Sequence, residues 1–147
     1  MRRFYIWLWL LMLVCGSCTK EKQELSVLHL NIWMEGTVVK NGFEAVADEV
    51  ARIDPDIVMF SEASNKEGAL FVPRMLDALR ERGKIYYGQG SSLDVALLSK
   101  YPILEQTENI PHKDRVLRTR LDVNGKQVVA YTCLLYTSPS PRDAHES

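Results

Sequence analysis

Cysteine is scarce in this chain. Three occur in 147 residues. Cys15 and Cys18 stand close together near the N-terminus and Cys133 stands alone, so no disulfide framework is implied. Surplus charge is missing too. The formal net charge is -1, which argues against a non-specific nucleic-acid binder, since such proteins carry a basic surface. No apolar run is long enough to span a bilayer; the longest, Phe4 to Val14, falls short. There is no internal repeat, hence no solenoid. Gly88-Gln89-Gly90 has no helix after it and is not a phosphate loop. Histidine is limited to His29, His112 and His145. What remains is 46% hydrophobic and 25% charged, the composition of one modest globular domain.

The N-terminus reads as a targeting segment. Arg2 and Arg3 precede the apolar run, and Cys15-Gly16-Ser17-Cys18 follows it. Small residues before a cysteine resemble a bacterial lipobox, which implies acylation of Cys18. Residues 1–18 are then a lipoprotein signal and 19–24 a polar tether. The protein is expected to be exported and lipid-anchored in the bacterial cell envelope, at the outer membrane. The competing reading is an ordinary secretory signal with incidental cysteines.

Leu25 to Trp33 reads as a strand with Asn31 near its end. Phe43, Val46, Val50 and Ile53 are spaced for one helical face. Asp54-Pro55-Asp56 breaks that helix, and Ile57-Val58-Met59-Phe60 is a short apolar run of buried-strand type ending on Ser61-Glu62. A second helix is expected from about Lys66 to Arg82, burying Phe71, Met75, Leu76 and Leu79 and closed by Gly83. Ile85-Tyr86-Tyr87 and Leu93 to Ser99 read as strands. Pro102 cannot continue a central strand, and Ile103 to Asn109 reads as an edge strand. Val116 to Val123 and Lys126 to Tyr131 flank Asn124-Gly125, a strong hairpin signal. The order β-α-β-α-β-β plus a hairpin implies an α/β fold: a sheet with helices on one face and its other face still needing cover.

Asn31 and Glu62 end two strands joined by a crossover helix. Such strands are commonly neighbours, and α/β folds bind ligands at the carboxyl ends of their strands. A carboxylate plus an amide oxygen suits a hard cation such as Mg²⁺, with Mn²⁺ as the substitute.

Leu28-His29-Leu30-Asn31-Ile32-Trp33, Asp56 to Glu62 and Asp94 to Ile103 are similar, in order and spacing, to three motifs of the endonuclease/exonuclease/phosphatase superfamily, whose fold is deoxyribonuclease-I-like. The resemblance covers about Leu25 to Tyr131. It implies the first half of a four-layer α/β sandwich, truncated, with residues 25–133 as a partial domain. It further implies Glu62 as the Mg²⁺ ligand, Asn31 as a residue that binds or orients at the metal, and hydrolysis of a phosphate ester by a metal-assisted water.

The chain departs from that family in two ways. Ser61 stands where the family often has Gln, and the second-half His and Asp residues are absent, so no catalytic set is complete. His29, on the same strand face as Asn31, reads as a packed or solvent-exposed strand histidine. Arg118 and Arg120 share one face of their strand; they could touch phosphate or form a solvated face. Residues 134–147, with Ser138-Pro139-Ser140-Pro141, resemble a translated sequencing-adapter read-through and otherwise read as a disordered tail.

The expected protein is therefore a metal-dependent phosphoesterase or phosphodiesterase, inactive as written. The alternative is a lipid-anchored, non-catalytic α/β binding module. Partners are a phosphorylated small molecule, a phospholipid headgroup or extracellular nucleic acid, together with the membrane through the lipid. No stable protein partner is expected. With one half alone, the far face of the sheet, from Ile57 to Phe60 and Val95 to Leu98, is expected to meet water and promote aggregation.

Overall fold

The computed structural model describes residues 24–63, 70–108 and 116–134. The expected signal segment, acylated Cys18, all of the tether but Glu24 and most of the C-terminal tail lie outside the described residues. Among the described residues no helix is long and apolar enough to cross a membrane.

Strands β1 (Val27–Asn31) and β2 (Ile57–Ser61) flank helix α1 (Gly42–Ile53). They pair in parallel, with Asn31 opposite Ser61. Helix α2 (Phe71–Glu81) leads to the short β3 (Tyr87–Gly88) and then β4 (Val95–Ser99). β4 runs antiparallel between β2 and β3, so the first sheet has the order β1-β2-β4-β3. Strands β5 (Ile103–Thr107), β6 (Val116–Val123) and β7 (Lys126–Cys133) form a separate antiparallel sheet in sequence order. Asn124 and Gly125 both take positive φ, 53° and 80°, the conformation that a tight two-residue hairpin turn between β6 and β7 requires.

Helix α2 is shorter than its periodicity predicts. It starts at Phe71, with Leu70 extended before it; residues 64–69 lie outside the described residues. Pro73 then falls in the first turn, where the missing N–H has no helical partner to lose. Gly83 closes the helix in the left-handed region, at φ 73°.

Two cores result. On the helical side, Val58, Phe60, Ala96 and Leu98 of the first sheet pack against Ala47 and Val50 of α1 and against Phe71, Met75 and Leu79 of α2. Ile53, expected on the buried face of α1, is instead 41% exposed at the helix end. On the other side, Ile57, Val95 and Leu97 meet Leu117, Leu121 and Val123 of β6.

That second core corrects the expectation of a bare far face. The chain leaves β4 at Pro102, crosses over, and lays β5-β6-β7 on the sheet it has just left. Every residue of β4 is buried. The period-2 pattern of β6, with Leu117, Thr119, Leu121 and Val123 buried and the residues between them half-buried, is the mark of a strand with one face on a core. The layers run helices, sheet, sheet.

At the end of the first sheet remote from Glu62, two aspartates clasp the strand starts. The Ser26 amide and hydroxyl both donate to Asp56 Oδ2, at 2.9 and 2.7 Å, and the Asp56 amide donates back to Ser26 Oγ at 2.9 Å. The Ser26 backbone N–H, then its hydroxyl, hold the Asp56 carboxyl below its ordinary range. Lys84 and then Lys100 do the same for Asp54. A depressed folded-state pKa contributes stability that is present above the unfolded value, about 3.9 for Asp, and lost as pH falls through the folded one. Urea midpoints should therefore hold steady above about pH 5 and fall below about pH 4. Asp56→Asn should lower stability at neutral pH and flatten the acid decline. An unchanged slope in that variant would contradict the clasp.

Candidate functional site

Parallel pairing of β1 and β2 brings their carboxyl ends side by side. Asn31 Nδ2 donates to Glu62 Oε1 at 2.8 Å. Asn31 Oδ1 accepts the Trp33 amide at 3.0 Å. Both ends of the Asn31 amide are thus engaged, which fixes its orientation and that of the carboxylate. The two side chains that the sequence places at neighbouring strand tips are in contact.

The backbone around the pair is unusual. Glu62 has φ 60°. Trp33, Met34, Glu35 and Gly36 are consecutively left-handed, at φ 38°, 54°, 62° and 73°. Non-glycine residues in this region are uncommon, and each costs about 1 kcal/mol or more unless its surroundings impose it. Here the surroundings do. The Gly36 amide donates to the Ile32 carbonyl at 2.6 Å, and the Glu35 amide donates to the Glu62 carbonyl at 2.9 Å. A Cβ at Gly42 would collide with the Gly36 carbonyl oxygen, so the turn packs directly on the start of α1. The Glu35 side chain is 6% exposed and meets Arg74 Nη1 of α2 at 2.9 Å. The Arg74 guanidinium lies 4.5 Å from the centroid of the Phe43 ring.

Sequence reasoning passed over Glu35 and Arg74. Glu35-Gly36 read as loop, and Arg74 lies 39 residues away in the chain. The one usable signal was an acidic residue followed by glycine directly after a strand.

His29 is exposed on β1, and its Nε2 lies 3.0 Å from Ser61 Oγ. The Ser61 hydroxyl reaches the Cys133 carbonyl of the second sheet at 3.5 Å. Ser61, in the place where the resemblance leads one to expect Gln, thus lies between His29 of β1 and the Cys133 carbonyl of the second sheet.

Arg118 and Arg120 are not brought beside Glu62. They occupy the face of β6 opposite to Leu117 and Leu121, pointing away from the first sheet, and each is 3.2 Å from Glu105 Oε2. Glu105 hydrogen bonding, first among several causes, raises the pKa of Arg118 above its ordinary value.

Glu62 supplies oxygen donors of the kind a hard divalent cation takes, whereas the Asn31 amide oxygen is turned to the Trp33 N–H. The fit is partial: among the described residues no group of three or more His, Cys, Asp or Glu could hold a metal ion. Glu62 would hold the cation by its carboxylate, and Asn31 would orient that carboxylate. A cation bound there would draw its other ligands from water and substrate.

Helices on a sheet, a second sheet beneath it, and an acidic residue at two parallel strand tips make a layered α/β sandwich with its candidate site at the carboxyl ends of the strands. The family model of the Endonuclease/Exonuclease/phosphatase family matches residues 28–146, and the chain belongs to that family. Solved structures agree on the fold. An endonuclease/exonuclease/phosphatase family protein from Leptotrichia buccalis C-1013-b superposes with a TM-score of 0.58 at 13% identity, over 77% of this chain and 54% of that one. Truncated TDP2 from Caenorhabditis elegans gives 0.54 at 18% identity, over 78% and 48%. Beta toxin 275-280 from Staphylococcus aureus gives 0.53 at 21% identity, over 80% and 52%. The chain therefore spans about half the length of the structures it matches. No curated protein sequence matches it.

Proposed function

We propose that this chain carries the metal-binding side of a Mg²⁺-dependent phosphoesterase or phosphodiesterase. The observation that carries the reading is the Asn31 Nδ2 to Glu62 Oε1 hydrogen bond across the tips of β1 and β2, in a chain of this family. A divalent cation at Glu62 would supply Lewis-acid polarisation of a phosphoryl oxygen. Asn31 holds the Glu62 carboxylate in one rotamer, and the Trp33 amide holds Asn31. Positioning of this kind is preset and needs no rearrangement as charge develops.

The described residues hold one part of what hydrolysis needs. His29 is the sole histidine among them, and Ser61 occupies its Nε2 side. Neither His112 nor His145, outside the described residues, stands in a sequence motif that resembles the family's; the proposal is that the general base comes from sequence outside this chain, and that the 147 residues alone turn over no substrate. The substrate class stays at phosphate esters: a phosphorylated small molecule, a phospholipid headgroup or extracellular nucleic acid.

The test is to resequence the locus past residue 133 and assay both proteins on bis-p-nitrophenyl phosphate with Mg²⁺. The continued protein should carry the base histidine and hydrolyse the diester in an EDTA-sensitive way, while the 147-residue chain should not. A continued protein that binds ligand but shows no turnover would support the non-catalytic module instead.

The N-terminal pattern supports a lipid anchor at Cys18 in the bacterial envelope, which would place the site outside the cytoplasm. Cys18→Ser should shift the protein from the membrane fraction to the soluble fraction. Full membrane retention of that variant would overturn the anchor.

A further inference from the structure

We propose that Glu35 and Arg74 are positioning residues for the strand-tip site. Their ion pair holds the left-handed turn Trp33–Gly36 against Glu62 and keeps Asn31 and Glu62 preset. This rests on the reading of those two residues as a cation site.

Three independent features converge on the turn. Its four consecutive positive φ angles are a conformation that this sequence would not hold by itself, because three of the four residues carry a Cβ. The turn is coupled to the site twice through the backbone: the Glu35 amide donates to the Glu62 carbonyl at 2.9 Å, and the Trp33 amide donates to Asn31 Oδ1 at 3.0 Å. Its only charged side chain is turned inward. Glu35 is 6% exposed at the side chain, whereas Arg74 is 40% exposed, and Arg74 is itself held over the Phe43 ring of α1. A carboxylate is costly to bury without a cation beside it. Arg74 therefore favours the inward position of Glu35, and with it the backbone that carries the Glu35 amide to Glu62.

The two partners are not equivalent. Arg74→Met takes the guanidinium away from the inward-facing Glu35 carboxylate and should loosen the turn. Glu35→Gln leaves a guanidinium that water can reach, and should have the smaller effect. Arg74→Lys keeps a cation but loses the planar fork and its stacking, and should recover most of the Arg74→Met loss.

The test uses the full chain and two readings. The first is hydrogen exchange by NMR of the residue 35 amide and of the Asn31 side-chain amide, with the Ala47, Val50 and Leu79 amides as core controls. The second is Mn²⁺ affinity by EPR of the free ion, with Glu62→Gln as the control for the site. Arg74→Met should speed exchange at residue 35 and at the Asn31 amide and weaken Mn²⁺ binding about tenfold, the usual effect of removing a group that supports a ligand. The core controls should keep the wild-type rate. Wild-type exchange at residue 35 in Arg74→Met overturns the proposal. So does faster exchange spread evenly over Ala47, Val50 and Leu79, which would make the pair a helix-packing contact. If the wild-type chain binds no Mn²⁺, or Glu62→Gln binds as well as wild type, the cation reading fails. The exchange data alone then decide whether the pair positions Asn31 and Glu62.

Discussion

Glu62→Gln should abolish metal-dependent hydrolysis in the continued protein while leaving its fold intact. Glu62 is half-buried at the end of β2, so the exchange of one oxygen for nitrogen removes no packing. The Asn31 Nδ2 donor now at 2.8 Å from Oε1 would still find an amide oxygen. What is lost is the negative charge of Glu62, the group that would hold the cation. Lewis-acid stabilisation is worth several kcal/mol in the transition state, so the expected loss is about 10²-fold or more in kcat. Thermal unfolding should match wild type, and raising Mg²⁺ should not restore the rate. Wild-type turnover in the variant, or wild-type turnover that survives EDTA, would rule the site out.

Phe60→Ala should have the largest effect on stability. Phe60 is fully buried at the middle of the first sheet. Its ring stands edge-on to Phe71 at 5.1 Å between centroids, and Phe71 meets Phe43 at 6.1 Å. Phe60 of β2 is thus linked through the Phe71 ring of α2 to Phe43 of α1. Truncation opens a cavity that close-packed neighbours only partly fill, at a cost of about 3–5 kcal/mol. Aromatic edge contacts add to that. Against a total stability of about 5–15 kcal/mol for a domain, the melting temperature should fall by about 15 °C or more. Leu104→Ala, at a site 47% exposed, is the control and should change little. A Phe60→Ala variant that melts near wild type would contradict the helical-side core.

The elements with one strong cause were legible in the sequence. β2 and β4 are continuous apolar runs because both of their faces are covered. The hairpin turned on Asn124-Gly125, where only residues tolerant of positive φ fit. Asn31 and Glu62 came together because a crossover helix makes consecutive strands parallel neighbours. Features with distant causes were not legible. The alternation of β6 said that one face needs a partner, but nothing local said that the partner would be the sheet the chain had just left. The left-handed run at Trp33 to Gly36 contradicts the local preference of its residues; it is imposed by Gly42, Glu62 and Arg74. Such conflicts between local preference and tertiary demand tend to fall at functional sites. The aspartates of Asp54-Pro55-Asp56 read as a helix stop, and only the folded chain shows Asp56 clasping Ser26.

The most direct test is a Mg²⁺ titration of the isotope-labelled chain, wild type and Glu62→Gln, followed by NMR. In the wild type, shifts should concentrate at the Asn31 side-chain amide and at the backbone of Asn31 to Gly36 and Ser61 to Ala63, with saturation; in Glu62→Gln they should vanish. Shifts that centre elsewhere in the wild type, or the same shifts in Glu62→Gln, would contradict a cation site at the tips of β1 and β2.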